Sequence, residues 1–212
     1  MLHLLFQLTS NILMFMYALS LWYNNPVIGG NPMNIWHRVD PKRINPQSFL
    51  ACIEISKGSK NKYELDKYSG ALYLDRILYT STHYPQNYGF IPRTLADDGD
   101  ALDVLVICSQ EIVPLAIVDC YPIGILEMID GGSKDAKILA ICKNDPVFNS
   151  FNDIKNIPDH ILQEIKHFFS VYKELEGKET IVNQIHGREK AEEIIKKCIQ
   201  AYTDKFGDGQ KY

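Results

Sequence analysis

The segment Leu95–Asp103 (LADDGDALD) runs directly into Val104–Cys108 (VLVIC), and this junction decides the fold. It carries four carboxylates within seven residues: Asp97, Asp98, Asp100 and Asp103. Carboxylates at this spacing repel one another unless cations lie between them, and the β-branched run predicts a buried strand that holds the loop. Carboxylates fixed on a strand suit a hard cation such as Mg²⁺. A solvated acidic turn explains the segment about equally well.

The composition is that of a water-soluble globular domain. The 212 residues are 46% apolar and 23% charged, with a formal net charge of −4, which is enough chain for one domain with a core. The acidic balance argues against a general nucleic-acid binder. Five cysteines occur without a CxxC pair. We therefore predict buried free thiols in a reducing compartment, a cytoplasmic location and no zinc site.

The N-terminal segment differs from the rest of the chain, because no Asp, Glu, Lys or Arg precedes Arg38. Residues 4–23 are apolar enough to span a bilayer, although several polar residues weaken a transmembrane anchor. A signal peptide would need a basic start and a small-residue cleavage site, which are missing. A third interpretation is an upstream start, with Met33 opening the working protein. We expect residues 1–32 to be an apolar extension, with membrane association only if it is retained, and residues 33–212 to be the folded domain.

Apolar alternation and turn residues predict a β-rich domain. The expected strands are Leu50–Ser56, Asn61–Asp66, Ala71–Leu78, Leu102–Cys108, Ala116–Met128 and Lys137–Cys142. Short polar turns between them favour a meander over a βαβ layout, and Tyr84–Gly89 reads as an aromatic, turn-rich loop. Helical spacing then predicts two helices, within Pro158–Gly177 and Glu189–Phe206.

Polar residues that a plain meander does not need recur at the turns and strand ends. The acidic ones are Glu54, Glu64, Asp98, Asp100, Asp103, Asp130 and Asp135; the others are Lys62, Arg76, Lys137, Lys173, Tyr84, Tyr88 and Tyr172. Gathered in one cleft, the carboxylates would hold Mg²⁺ and the cationic and phenolic groups would hold phosphate oxygens, as phosphoryl transfer requires. Taken singly, Lys62 and Lys137 are better explained as solvent-facing strand residues, at odds of roughly two to one.

Six separated motifs together resemble the bacterial type of the family I soluble inorganic pyrophosphatases. They are Ile53-Glu54-Ile55, Lys62-Tyr63-Glu64, Asp75-Arg76, Tyr84-Pro85-x-Asn87-Tyr88-Gly89, Asp130 to Lys137, and His167-Phe168-Phe169 with Tyr172-Lys173. They accompany Asp98–Asp103, which is similar to the family signature D-x-D-P-x-D. The main departure is Ala101, where the family usually has proline.

The resemblance implies a mainly β fold with α-helices: a closed five-stranded barrel of OB type flanked by two C-terminal helices. It implies that residues 33–212 form an inorganic pyrophosphatase domain, which hydrolyses pyrophosphate to two phosphates by in-line attack of a metal-activated water. The implied cofactor is Mg²⁺, in several ions and with Mn²⁺ as a substitute. The implied assembly is a homohexamer.

The resemblance also implies roles for individual residues. Asp98, Asp103 and Asp135 resemble the ligands of the tightest metal site, with Asp103 bridging to a second ion. Asp130, Glu54 and Glu64 resemble the residues that serve, with Asp135, the ions arriving with substrate. Asp100 resembles the group that accepts the proton of the attacking water. The residues similar to phosphate binders are Lys62, Arg76, Tyr88, Lys137, Tyr172 and Lys173, with Tyr84 in support.

Three other functions stay open on the sequence. A nucleic-acid-binding barrel of OB type would need exposed aromatic residues and a basic groove, and the acidic cluster argues against it. An inactive, metal-storing relative would keep the ligands without turnover. A phosphatase of other phosphoanhydrides would share the chemistry and differ in substrate.

Overall fold

The structure is a computed structural model that describes residues 34–207; the extension predicted for residues 1–32 lies outside them. Nine strands are described: β1 Phe49–Ile55, β2 Asn61–Leu65, β3 Leu72–Ile77, β4 Asn87–Ile91, β5 Leu102–Ile107, β6 Ile117–Asp130, β7 Ser133–Lys134, β8 Lys137–Cys142 and β9 Thr180–Gly187. The α-helices are α1 Ile35–Arg38, α2 Asp159–Val171 and α3 Arg188–Phe206, and single 3₁₀ turns occupy Pro41–Arg43, Ile154–Asn156 and Glu174–Glu176.

Five of these strands form the closed ring that the family resemblance implies. The strands are hydrogen-bonded in the order β1-β4-β5-β8-β6, and β6 pairs back with β1. All seven residues of β1 are buried, as are five of the six in β5, which explains their nearly continuous apolar sequence. The prediction of a mainly β, five-stranded OB-like barrel with two C-terminal helices is confirmed.

The connectivity departs from the predicted meander in one pairing. β5 and β8 are parallel, and Asp103 lies opposite Lys137 at the start of both strands. The long strand β6 runs between them in sequence and pairs antiparallel with β8. Its ladder shifts register between Pro122 and Gly124, where the sequence predicts an edge or a bend, because proline lacks the N–H that a regular ladder needs.

The prediction of a loop over Tyr84–Gly89 is wrong from Asn87 onward, where β4 begins. Tyrosine, proline, asparagine and glycine indicate turns in isolation, but here Gly89 meets a tertiary requirement. A Cβ atom at Gly89 would lie 1.9 Å from the carbonyl oxygen of Cys52 on β1. Only glycine permits this approach of two backbones, so the residue that looks like a turn signal lies within a central strand.

The two C-terminal helices pack their apolar stripes on the barrel. In α2 the buried residues are Ile165, Phe168 and Phe169, and in α3 they include Ile195 and Cys198. The helix predicted within Pro158–Gly177 ends at Val171 and continues as a 3₁₀ turn closed by Gly177, whose φ is +68°. Between the helices lies β9, a strand that the sequence analysis did not predict and that pairs with β6.

Candidate active site

One cavity of about 290 Å³ collects nearly all the predicted site residues. Its walls include Glu54, Lys62, Glu64, Tyr88, Asp98, Asp100, Asp103, Asp130, Asp135, Lys137, Tyr172 and Lys173. They come from β1, β2, β4, the loop before β5, β5 itself, the end of β6, the turn before β8, the start of β8 and the residues just after α2, so the closure of the barrel brings them together. Arg76 and Tyr84 do not line this cavity.

Lys137 lies at the centre of the acidic side of the cavity. Its ammonium group contacts the carboxylates of both Asp103 and Asp135, and only 4% of its side chain is exposed. Burial alone would lower the pKa of Lys137, but the two carboxylates raise it above its usual value. The pKa of Asp135 is raised, mainly because burial penalises its charged form. A buried cation is therefore shared by two acidic side chains that are 32 residues apart in sequence.

Tyr88 reaches the same acidic group from β4. Its hydroxyl donates a hydrogen bond to Asp103 Oδ2 over 2.5 Å, and the Lys137 ammonium lies 5.7 Å from the centre of its ring. Burial, followed by the charge of Asp103, raises the pKa of Tyr88 well above 10. Tyr88 is thus a neutral donor throughout the physiological pH range. The buried ring of Tyr84 packs at 5.4 Å from that of Tyr88 and at 4.7 Å from that of Phe168, so Tyr84 supports the site from the core.

Glu54 is the most deeply buried acid of the site, with a residue exposure of 8%. Its Oε1 accepts a hydrogen bond from the Leu65 backbone N–H over 2.7 Å, which joins β1 to the end of β2. The pKa of Glu54 is raised to about 8, mainly because burial penalises its charged form. The hydrogen bond from Leu65 acts in the opposite direction, and nearby negative charges, led by Asp103, contribute to the rise.

Elsewhere on the cavity walls, lysines are paired with acids. Lys173 follows α2 and contacts Asp130 at the end of β6, and the Tyr172 hydroxyl lies 3.4 Å from Asp130 Oδ2. On the β2–β3 hairpin, Lys62 contacts Glu64 and lies 3.2 Å from Asp75. These lysines alternate with carboxylates, so cationic and anionic groups are interleaved along the walls.

Arg76 lies outside the cavity but directly opposite Lys62 in the hairpin ladder. Its Nε donates to Glu176 over 2.8 Å and its Nη1 to Asp75 over 2.5 Å. Within residues 34–207, its Nη2 is buried and has no hydrogen-bond partner. A buried donor without an acceptor is costly. Sequence reasoning did not assign Glu176 to this region.

The acidic loop between β4 and β5 is held by its own backbone. The Ala96 N–H donates to the Asp100 carbonyl over 2.7 Å, and Gly99 has a φ of +90°, which glycine adopts without strain. Asp98 accepts the Asp100 N–H over 3.0 Å. The Ala101 N–H donates to Asp100 Oδ1 over 2.6 Å, a bond that the family's usual proline could not make.

The acids are positioned to hold cations, but they do not form a complete metal-binding site. Within the described part of the chain, no three acidic, histidine or cysteine side chains lie close enough together to hold a metal ion as they stand. Lysine ammonium groups instead contact Asp103, Asp135 and Asp130. The donor set is nevertheless suitable: it is rich in carboxylate oxygens, which Mg²⁺ prefers, and two of these carboxylates already converge on one cation.

Trp36 and Lys67 are among the residues of the cavity walls that the sequence did not assign to the site. Trp36 belongs to the four-residue helix α1, and Lys67 follows β2 in a turn. Neither residue is part of a periodic pattern: Lys67 is a single lysine in a turn, and Trp36 is a single tryptophan near a segment of unusual composition. Only the tertiary structure assigns them to the site.

The chain is similar in sequence to known proteins. A family model described as inorganic pyrophosphatase matches residues 51–203. Soluble inorganic pyrophosphatase 2 of Chlamydomonas reinhardtii is 44% identical over 178 residues, which are 84% of this chain and 92% of that protein. Soluble inorganic pyrophosphatase 1 of Arabidopsis thaliana is 46% identical over 169 residues, 80% of each chain.

Solved structures show the same similarity. The inorganic pyrophosphatase of Helicobacter pylori superposes with a TM-score of 0.73 at 42% identity, over 75% of this chain and 95% of that one. The enzyme of Thermus thermophilus gives a TM-score of 0.73 at 36% identity, over 82% and 98%.

Proposed function

The chain belongs to the inorganic pyrophosphatase family and is an inorganic diphosphatase, and from that premise we propose how its cavity hydrolyses pyrophosphate. The observation that carries the proposal is the convergence of seven carboxylates with Lys62, Lys137 and Lys173 in one cavity. Carboxylates bind the metal ions, and the lysines, with tyrosine hydroxyls, bind the phosphate oxygens. Such a site catalyses phosphoryl transfer by positioning and charge neutralisation.

In this proposal the metal is Mg²⁺, with Mn²⁺ as a substitute. Asp98, Asp103 and Asp135 would hold the most tightly bound ion, and Asp103 would also serve a second. Asp130, Glu54 and Glu64 would hold the ions that accompany substrate. When bound, Mg²⁺ neutralises the carboxylates and makes a nearby water a stronger acid. The contact of Lys137 with both Asp103 and Asp135 supports a shared cation at that point.

The chain's own groups then act on the substrate and the proton. Asp100 accepts the proton of the attacking water, which lets hydroxide attack one phosphorus in line at neutral pH while the bridging P–O bond breaks and the other phosphate leaves. Lys137, Lys62 and Lys173 act as point charges on phosphate oxygens, and Arg76 offers a planar fork whose Nη2 has no partner among the described residues. Tyr88 and Tyr172 donate hydrogen bonds without adding charge.

The test is phosphate release from pyrophosphate by the full-length chain, with Mg²⁺ and with a chelator. We expect steady turnover with Mg²⁺ and its loss in the chelator, and ATP should be a much poorer substrate. Equal rates on ATP would indicate a general phosphoanhydride phosphatase, and no release with Mg²⁺ would indicate a metal-binding relative without turnover.

We also propose a homohexamer in the cytoplasm. Several large apolar side chains are exposed on the β2–β3 hairpin and just after it, such as Tyr73, Ile77 and Tyr79, and burial in an assembly would remove them from water. The five cysteines are free thiols, as a reducing compartment allows. Among residues 34–207, no helix is long and apolar enough to cross a bilayer. Analytical ultracentrifugation measures the assembly directly; a monomer at micromolar concentration contradicts it.

A further inference from the structure

We propose that Lys67 and Trp36 form a positioning pair that fixes the carboxylate of Asp100 in the cavity. The inference rests on the role proposed above for Asp100 as the proton acceptor. Neither Lys67 nor Trp36 belongs to the motifs that carry the family resemblance, and Trp36 precedes residues 51–203, which the family model matches.

The ammonium group of Lys67 contacts both Asp100 and Trp36. The Nζ contacts Asp100 Oδ1 and lies 5.0 Å from the centre of the Trp36 ring, within the range of a cation–π interaction. All three residues line the cavity. The ammonium is therefore held between an aromatic face and the carboxylate, so its position depends on where the indole is fixed.

The indole of Trp36 is fixed by buried hydrogen bonds. Its Nε1 donates to the Thr94 carbonyl over 2.8 Å, and Trp36 is only 6% exposed. The Thr94 hydroxyl in turn accepts the Leu102 N–H over 2.8 Å, at the start of β5. Asn34 accepts the Trp36 N–H and donates to the Lys67 carbonyl, both over 3.0 Å. Trp36 thus connects the base of the acidic loop with the turn that carries Lys67.

Asp100 needs such a restraint because packing does not hold it. Its side chain is 50% exposed, and it follows Gly99 in a tight loop. The Ala101 N–H and the Lys67 ammonium both contact Oδ1. These two contacts fix the carboxylate through Oδ1. They do not involve Oδ2, so Oδ2 is the oxygen that can accept a proton. A misplaced proton acceptor slows the reaction without weakening substrate binding.

A solvent-exposed ion pair usually contributes little to stability. If Lys67 positions Asp100, its loss should therefore lower the rate without lowering the stability. In the full-length protein with Mg²⁺, Lys67→Met should lower kcat about tenfold, with the KM for pyrophosphate and the thermal midpoint nearly unchanged. Lys67→Arg, which keeps the charge and the contact with an aromatic face, should restore most of the rate. Lys60→Met, on the same hairpin and outside the cavity walls, is the matched control and should behave as the unmodified protein.

A double-mutant cycle separates positioning from a structural or substrate-binding role. If Lys67 acts through Asp100, Lys67→Met should cause no further loss of kcat in Asp100→Asn. Trp36→Leu removes the ring beneath the ammonium and should lower kcat in the same direction, again without effect in Asp100→Asn.

Two results overturn this inference: an unchanged kcat for Lys67→Met, or an equal loss in the Asp100→Asn background. A rise in KM without a change in kcat would instead make Lys67 a substrate-binding residue. If the unmodified protein released no phosphate, the proposed function would fail first, and this inference with it.

Discussion

Lys137 and Asp103 lie opposite each other on the parallel strands β8 and β5, and the lysine ammonium contacts the aspartate carboxylate. The pairing has a consequence for substrate binding. Without metal, Lys137 is occupied by Asp103 and Asp135, and Lys173 by Asp130. The carboxylates of the cavity outnumber its lysines, so the excess negative charge repels an anion.

We therefore predict that the metal-free protein binds pyrophosphate poorly. Titration calorimetry in a chelator should detect no binding at micromolar pyrophosphate. As a control, the same titration with a divalent ion that does not support rapid turnover should show binding. Tight binding in the chelator would contradict the proposed dependence of the anion site on metal.

Substitution of two neighbouring acids should separate proton transfer from metal binding. Asp100→Asn should lower kcat by about 10²-fold or more, the usual scale for loss of a general base, and leave the Mg²⁺ requirement unchanged. Asp103→Asn removes a proposed metal ligand and should raise the Mg²⁺ concentration needed for half-maximal rate. Rates measured across a Mg²⁺ series distinguish the two, and identical behaviour of both variants would show that the division of roles is wrong.

Glu54 should make the metal-free protein less stable as the pH rises. Its pKa is raised by burial from about 4.5 to about 8, so the folded protein holds a proton that the unfolded chain has lost between these values. Its contribution to the free energy of unfolding is fully present below about pH 4.5. It is lost progressively toward pH 8, by an amount on the order of a few kcal/mol.

Chemical denaturation between pH 5 and 8 in a chelator measures this effect. Glu54→Gln keeps an acceptor for the Leu65 N–H and removes the titrating group. The variant should therefore show a smaller decrease in stability with pH than the unmodified protein. Equal pH slopes for the two proteins would contradict the assignment of the raised pKa to Glu54.

Gly89 should be intolerant of even one added methyl group. Gly89→Ala would place Cβ 1.9 Å from the Cys52 carbonyl oxygen, so β1 and β4 must separate, at a cost of about 2–4 kcal/mol. Gly187→Ala is the matched control, because its nearest neighbour, Asp153 Oδ2, is at an ordinary 3.4 Å. Thermal unfolding should show a large loss for the first variant and a small one for the second. Equal midpoints would show that the strands adjust freely.

The sequence predicted the bounds of the strands better than it predicted which strands pair with one another. β8 was predicted at its observed bounds, and the other predicted strands were within two residues of theirs, because alternation and turn residues are local signals. β4 was not predicted, because the residues of Tyr84–Gly89 are typical of a turn. Its glycine is required by the close approach of β1, a strand that is distant in sequence. β9 was missed because its residues are mostly exposed or half-buried and show no clean alternation. The parallel pairing of β5 with β8 leaves no local signal at all.

The site was predicted where residues recur in motifs and missed where they act singly. The acidic loop and the turn before β8 can be recognised in the sequence by their density of charged residues, and both line one cavity in the structure. Lys67 and Trp36 contribute one residue each, and only the packing of α1 against the loop after β2 brings them beside Asp100. Glu176, which holds Arg76 over 2.8 Å, is likewise a product of tertiary packing.

The most direct test of the account is the position of a bound metal ion. Crystals grown with Mn²⁺ and measured near its absorption edge would give an anomalous difference map of the cavity. We predict a strong peak within coordination distance of carboxylate oxygens from Asp98, Asp103 and Asp135, with the Lys137 ammonium moved away from it. A map without a peak at these three residues, or with Mn²⁺ bound elsewhere, would contradict the claim that these separated acids share one cation.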